Sequence, residues 1–346
     1  MIDVAIVGGG PAGLAAAISA RLAGLSVVLF EPKQAPIDKA CGEGLMPPAL
    51  STLKRLGVAN IEGVPFEGIR YIDGDISAEE RFSMGPGLGV RRTTLHQALH
   101  HRASELGVMF RTDRVKHWSQ SADSVDIEDI QARWMLAADG LHSPIRKELG
   151  LALAPRGPRR VGIRRHFDTK PWSPFVEVHW SPEAEAYVTP ISATQVGVAL
   201  LYNQEAQKPE GEDAWERWFA FFPDLAKRLG PACSKLKGAG PFEQRVRAVH
   251  SGRIMLVGDA AGYLDPITGE GIRLGLESAE AAIDTIIEGE ASHYTRRWRR
   301  LTRRYWWLTS GLLFIRRRPR LRKRIVPTLK RWPSLFRWAL DALNAA

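Results

Sequence analysis

Six residues near the start of the chain, Gly8-Gly9-Gly10-Pro11-Ala12-Gly13, have the types and spacing to hold a phosphate. They form a G-x-G-x-x-G, a turn that meets its ligand with backbone amides rather than side chains. Such a turn needs a strand before it and a helix after it. Asp3 to Gly8 reads as a short buried strand, and Ala15 to Leu22 as a helix with small residues on one side. Leu25 to Phe30 reads as a second strand, ending at Glu31. In this βαβ order Gly8 permits the tight turn, Gly10 lets the backbone approach a pyrophosphate, and Gly13 lets helix pack on strand. Pro11 and Ala12 lie in this turn, ahead of the helix whose free amides and positive dipole end face the phosphates. Glu31 is placed to accept from a ribose hydroxyl of an adenosine. The expectation is a dinucleotide site, with nicotinamide and flavin nucleotides both open.

Two later segments narrow it. Trp134-Met135-Leu136-Ala137-Ala138-Asp139-Gly140 is an apolar strand ending at an Asp-Gly turn, with a helix expected after Ser143. Gly252 to Gly262 (GRIMLVGDAAG) is another apolar strand, ending at Gly258-Asp259. It is followed by Pro266-Ile267-Thr268-Gly269-Glu270-Gly271-Ile272 and a long helix, Arg273 to Ile287. Asp-Gly and Gly-Asp pairs alone are ordinary turns. After buried strands they place a carboxylate at a sheet edge.

GGGPAG, ADGLHSPIR and GRIMLVGDAAGYLDPITGEGI, in this order, resemble the FAD-dependent aromatic hydroxylase and geranylgeranyl reductase superfamily over roughly Met1 to Gly289. The resemblance implies an FAD-dependent oxidoreductase. It puts Asp139 near the pyrophosphate and Asp259 on the ribityl-phosphate region. The physics agrees: Asp259 can accept from ribityl hydroxyls, and Gly269 and Gly271 leave room for a flat ring. The amide end of the next helix, at Ile272, would face the ring edge that becomes negative on reduction. Arg92, in Arg91-Arg92-Thr93-Thr94-Leu95, matches an Arg-x-x-Leu that meets the FAD phosphate and ribose in similar flavoproteins, at the start of a helix to Leu106. Val115, on an expected strand, matches a position whose backbone meets the adenine.

Lys39-Ala40-Cys41-Gly42-Glu43-Gly44-Leu45 resembles the Cys-Gly-Gly segment of the geranylgeranyl reductase branch, with Glu43 for the second Gly. The Arg-x-Gly of aromatic hydroxylases is absent here. In the reductase branch this loop lies over the flavin, so Cys41 is the candidate catalytic residue and Gly42 a cofactor contact; Lys39 and Glu43 are weaker candidates. Tyr187-Val188-Thr189-Pro190-Ile191 keeps the Tyr and Pro of that branch's Tyr-x-Trp-x-Phe-Pro but loses its aromatics, which speaks against a geranylgeranyl group as substrate. The Trp-x-Trp-x-Ile-Pro of flavin halogenases is missing. No second G-x-G-x-x-G exists, so reducing equivalents would come from a transiently bound NAD(P)H or from a partner. No metal-ligand spacing is visible, and His100 and His101 read as surface residues.

These residues need elements to carry them. The expected fold is α/β: a Rossmann-like FAD-binding domain (1–60, 89–155, 245–290), an inserted β-sheet substrate domain (61–88, 156–244) and a basic helical C-terminal tail (291–346). Trp215 to Leu229 reads as one helix within the insert. The chain has 346 residues, 45% hydrophobic and 25% charged, which excludes collagen, coiled coil and wholesale disorder. Two cysteines exclude a disulfide scaffold and a four-cysteine zinc site. From His293 to Ala346 there are 16 Lys and Arg against Asp341 alone, with five of the eleven tryptophans; the rest of the chain is mildly acidic. That composition fits an amphipathic helix on an anionic membrane. A helical cap on the body is the rival, and nucleic-acid contact is less favoured. The run Tyr305 to Ile315 is about half the roughly 20 residues of a membrane span. With no basic leader before MIDVAIVGGG, the expectation is a cytoplasmic protein, peripheral on the inner face of the membrane. The expected activity is hydride transfer on a small, apolar, lipid-like substrate. The alternatives are an FAD monooxygenase using NAD(P)H and oxygen, and a non-catalytic membrane-docked flavin-binding protein. The oligomeric state is left open.

Overall fold

In the computed structural model residues 1–204 and 212–344 are described; 205–211 of the expected substrate domain and 345–346 of the tail lie outside them. Val4, Ala5 and Ile6 are all fully buried, so the first strand, Ile2–Val7, is covered on both faces. A parallel strand sandwiched by helices requires that. It runs parallel to Val27–Phe30 on one side and Ile130–Ala137 on the other. Ile254–Leu256 extends the sheet beyond Ile130–Ala137, and Met109–Arg111 extends it beyond Val27–Phe30. Val7, Ala137 and Leu256 are in register across three neighbouring strands. The turns that follow, at Gly8, Asp139 and Asp259, therefore leave the same edge of the sheet. Chain order reverses at Ile2–Val7, the crevice where open α/β sheets bind ligands.

The first helix, Pro11–Leu22, starts with Pro at its first turn, where a missing amide costs nothing. A β-carbon on Gly13 would lie 1.8 Å from the Gly8 carbonyl oxygen, and Gly8 itself has φ +110°. Gly13 is thus demanded by the approach of helix to strand, and Gly8 by its backbone conformation and by the Ala138 carbonyl oxygen, 2.3 Å from a β-carbon there. The long helix Gly271–Glu288 packs along the first one.

The insert builds a seven-stranded, largely antiparallel sheet. Its order is Lys237–Ala239, Arg160–Phe167, Val196–Asn203, Ala184–Pro190, Phe175–Trp180, Gly68–Asp73, Ile76–Arg81. Two distant segments meet in it, because Phe175–Trp180 pairs in parallel with Gly68–Asp73. The expected helix from Trp215 to Leu229 is instead two, Glu212–Phe219 and Pro223–Arg228. Pro223 has no amide to donate and restricts Phe222, so the first helix stops and a second starts. Val115 is not on a strand but in irregular chain between Met109–Arg111 and Trp118–Gln120.

The tail forms the helices Ser292–Arg316, Pro319–Arg322, Ile325–Arg331 and Pro333–Asn344. It does not stand apart. Tyr305, Leu313, Val326, Phe336 and Leu340 share one apolar core with Phe66, Ile69, Phe82, Val176 and Val178 of the insert. A buried ionic network fastens it further. Arg316 is bonded to Glu185, and its Nη2 donates to the Glu183 carbonyl at 2.8 Å. Arg160 joins Glu185 (2.9 Å) to Asp265 (2.7 Å). The Tyr305 hydroxyl accepts from the Leu264 and Asp265 amides and donates to the Asp265 carbonyl. Tail, insert and the 264–271 turn are one packed unit.

Glu185 is fully buried, so removing one of its two cations is expensive. Arg316→Ala is expected to destabilise the protein by about 3 kcal/mol, read as a lower urea midpoint at unchanged slope. A chain ending at Ser292 is expected to aggregate, since it strips cover from a core.

Candidate active site

A cavity of about 590 Å³ lies between the Rossmann sheet edge, the insert's sheet and the tail. Its lining divides chemically. Gly10, Pro11, Ala12, Arg92, Asp139 and Asp259 form a polar end. Phe66, Ile69, Phe82, Val176, Val178 and Leu340, all of the second core, form an apolar end. Between them run the loop Lys39–Gly44 and the turn Pro266–Ile272.

The polar end holds hydrogen-bonding capacity that the protein leaves unused. Arg92 is 6% exposed, and its Nη1 is buried without a partner. Asp139 accepts the Ile145 amide at 3.2 Å through Oδ2, while Oδ1 is buried and unpaired. Asp259 lines the cavity. Burial pushes its carboxyl above the ordinary range, against the pull of the positive Lys39, Arg92 and Arg146. Burial also raises Asp139, and lowers Lys39 and Arg92. Buried polar atoms are nearly always paired, so this set calls for a ligand with both anionic oxygens and hydroxyls. A β-carbon on Gly10 would meet nothing closer than Arg92 Nη2 at 3.9 Å, and one on Gly42 nothing within 4 Å. Open space thus faces the amides.

Those residues fit FAD. The amides of Gly10 to Ala12 with Arg92 would hold the pyrophosphate, Asp259 the ribityl hydroxyls, and the amide end at Gly271 and Ile272 the flavin ring edge. Bound there, FAD supplies hydride transfer. Gly269, at φ +73°, turns the chain into that helix, and a β-carbon on it would press on Met46 Cε at 2.9 Å.

Not every expected contact lies on the cavity. Gly8 and Gly13 sit behind it, as turn and packing residues. The Glu31 carboxylate accepts the Gly9 amide at 2.9 Å and the Lys33 amide at 3.0 Å, so it braces the glycine turn. Val115 is half-buried against the Rossmann core and outside the cavity lining. Tyr187 is both wall and packing: it lines the cavity and its hydroxyl donates to the Ile267 carbonyl at 3.0 Å. His101 is exposed as expected, but His100 is half-buried and stacks on Phe110 at 4.5 Å.

The midsection contains groups that sequence reasoning passed over or undervalued. Cys41 lines the cavity, and burial raises its thiol, keeping the proton on sulfur. Glu43, 3% exposed, occupies φ +59°, a region that costs a non-glycine residue roughly 1–2 kcal/mol. Its carboxylate meets His166 Nε2 at 2.6 Å and accepts the Arg92 amide at 2.9 Å. His166 and Arg164 come from the strand Arg160–Phe167, and no local pattern announces a pairing across 123 positions. His96 is the other omission. Its Nε2 donates to the Gly9 carbonyl at 2.8 Å, under the phosphate turn. Its spacing of four residues from Arg92, on one helix face, was the available signal.

Residues 1–293 match the family model described as FAD binding domain. The chain belongs to this FAD-binding family. It is an FAD-dependent oxidoreductase, as the resemblance implied. A menaquinone reductase of Mycolicibacterium smegmatis is 29% identical over 325 residues, covering 86% of this chain and 79% of that protein. A digeranylgeranylglycerophospholipid reductase 2 of Methanothermobacter thermautotrophicus is 26% identical over 336 residues, covering 86% and 83%. Among solved structures, a flavoprotein/dehydrogenase from Cytophaga hutchinsonii superposes with a TM-score of 0.87 at 18% identity, over 99% of this chain and 92% of that one. That likeness shows the fold.

Two outcomes follow for this FAD-binding protein. Asp259→Ala is expected to weaken FAD retention ten- to hundredfold, the worth of a charge-assisted hydrogen bond of about 1.5–3 kcal/mol, measured by fluorescence release of FAD on dilution. The second concerns pH. Burial holds His96 down to about 4, against 6.5 when unfolded. Between those values the unfolded chain binds the proton and the folded chain refuses it. Stability is therefore full above pH ~6.5 and is lost as pH falls towards 4. His100 and His250 are lowered by burial in the same direction. The melting temperature of His96→Gln is expected to fall less steeply than the parent's over this window; equal slopes would refute the assignment.

Proposed function

We propose that the protein uses bound FAD to pass a hydride from transiently bound NAD(P)H to an apolar, lipid-borne substrate of the isoprenoid-quinone class, while docked on an anionic membrane. The observation that carries this reading is the two-ended cavity. Its polar end accounts for the cofactor, and its apolar end leaves Phe66, Phe82, Val176, Val178 and Leu340 facing a substrate. The names of the two reductases above point to the same class. The residues' share of the reaction is to hold an apolar group, exclude water and keep a proton at Cys41 Sγ beside it.

The tail supports docking. Trp307 and Phe314, seven residues apart on one helix face, are 64% and 53% exposed. Trp338 lies edge-on to Trp307 at 6.1 Å, and Leu335 is exposed one turn before it. Exposed Arg317, Arg320, Lys323, Arg324, Lys330 and Arg331 belong to the same tail. Aromatics at headgroup depth with cations around them suit anionic lipid, each cation near the surface being worth about 1 kcal/mol. No helix among the described residues is long and apolar enough to cross a membrane. The last helix, Pro333–Asn344, carries both Trp338 outward and Leu340 on the cavity, so the two features are adjacent.

The test of the chemistry is anaerobic NAD(P)H oxidation with a short-tailed menaquinone. A product gaining two hydrogens without oxygen supports the reading. A gain that survives re-exposure to air marks a reduced side-chain double bond, and one that reverses marks the quinone ring. Consumption only in oxygen, with an added oxygen atom in the product, means a monooxygenase. Docking is tested by flotation. The parent is expected to float with phosphatidylglycerol vesicles at low salt, and the Trp307→Ser/Trp338→Ser double variant to bind at least tenfold more weakly with unchanged FAD content. Equal flotation of the two would refute docking by this face.

A further inference from the structure

Among the described residues three non-glycine residues have positive φ, and of these Asn60 and Glu128 are exposed, outside helix and strand. Glu43 is buried beside the cavity. A buried side chain persists in a disfavoured backbone region only where its surroundings over-determine it, and here they do so from three elements. The Arg92 amide, the first of the helix Arg92–Glu105, donates to Glu43 Oε1. That helix has no side-chain cap of its own and no acid in its first turn, so Glu43 supplies both from outside. His166 Nε2 meets Glu43 Oε2 at 2.6 Å. Arg164 lies 3.8 Å from Oε1.

The proton on His166 can be placed. Arg164 Nη1 faces His166 Nδ1 at 3.3 Å. A guanidinium only donates, so Nδ1 accepts, the proton is on Nε2, and the ring donates to Glu43. Both carboxylate oxygens therefore face donors, and no neutral amide of the same shape satisfies both.

The backbone of Glu43 is equally committed. Its carbonyl accepts the Val90 amide at 2.8 Å, and its amide donates to Cys41 Sγ at 3.4 Å. The rest of the loop is clamped from the insert's sheet: Arg164 binds Asp38 and the Lys39 carbonyl, and Thr189 donates to the Gly42 carbonyl at 2.8 Å.

We propose that Glu43 is the positioning residue of the active site, the anion on which the cofactor domain and the substrate sheet jointly hold the Cys41–Gly42 turn and the Arg92 helix end in one orientation toward the cavity. It stands in the cavity wall with its carboxylate committed to the Arg92 amide and to His166, so it acts through Cys41 and Arg92. The inference is independent of which substrate the cavity takes.

The test uses the FAD-loaded protein in a Cys233→Ser background, so that Cys41 is the remaining thiol. Glu43→Gly keeps a residue at ease at φ +59° and deletes the anion. Glu43→Gln keeps the size and turns one acceptor into a donor facing donors. Alkylation of Cys41 by iodoacetamide is followed by mass spectrometry across pH. The charges facing Cys41 are Arg92, Glu43 and Arg164, with the Tyr263 hydroxyl also near. Burial chiefly holds the thiol's proton on and the Glu43 anion adds to it, so both variants are expected to label faster at neutral pH, with the midpoint moved down. Glu43→Asp, which retains the anion, is expected to stay nearer the parent than either. Identical labelling of parent and both variants at every pH, no labelling in any of them included, overturns the proposal. So does loss of FAD and of cooperative melting in Glu43→Gly, which would make Glu43 a requirement of the fold rather than of the site.

Discussion

The carbonyl oxygen of Gly8 occupies the place where a β-carbon of residue 13 would be, 1.8 Å from it. That absence of a side chain lets the first helix lie directly on the first strand, and the position of the helix end depends on it. Its free amides then open at the sheet edge, level with Asp139 and Asp259 on the neighbouring strands. A side chain at Gly13 would lift the helix and separate the amides from the carboxylates. The polar end of the cavity is therefore a consequence of backbone contact, and its chemistry is added by only a few side chains.

The opposite end of the cavity depends on longer-range packing. Glu185 sits fully buried between Arg160 and Arg316. Arg160 passes the connection to Asp265 at the head of the turn that carries Gly269 and Gly271. The tail is thus joined by charge to the same turn that would meet the flavin. A buried network of this kind adds little net stability compared with apolar packing, but it tolerates no missing partner. It sets register between three elements that also meet through apolar contact and through the Tyr305 and Tyr187 hydroxyls. The tail is accordingly a structural cap on one face, while the other keeps Trp307, Trp332, Trp338 and most of its cations in solvent. The buried side of these helices fits the cap reading, and the exposed side is the one the proposed docking would use.

Between these ends lies the loop from Lys39 to Gly44, held from both domains. The cavity places a protonated thiol beside an apolar compartment and opposite the cofactor's polar cradle. The proposed hydride transfer to a water-insoluble substrate would use that combination: a dry wall for the substrate and a proton held beside it.

The sequence by itself determined the parts whose cause is local. The βαβ order, the glycine turn, the strand-end carboxylates and the start of the Arg92 helix all follow from periodicity and turn chemistry within a few residues, and the structure has them where the pattern put them. The break at Pro223 was equally local, and visible in the sequence as a proline. Val115 was carried over by analogy rather than by a physical signal, and it lies off both strand and cavity. Only the tertiary structure decided that Glu43 would meet His166, that Glu185 would meet Arg316, and which faces of the tail are buried. Those pairings bring together residues more than a hundred positions apart. Their energies come from desolvation and from matching donors to acceptors in a packed interior, and neither quantity is encoded in the spacing of neighbours along the chain.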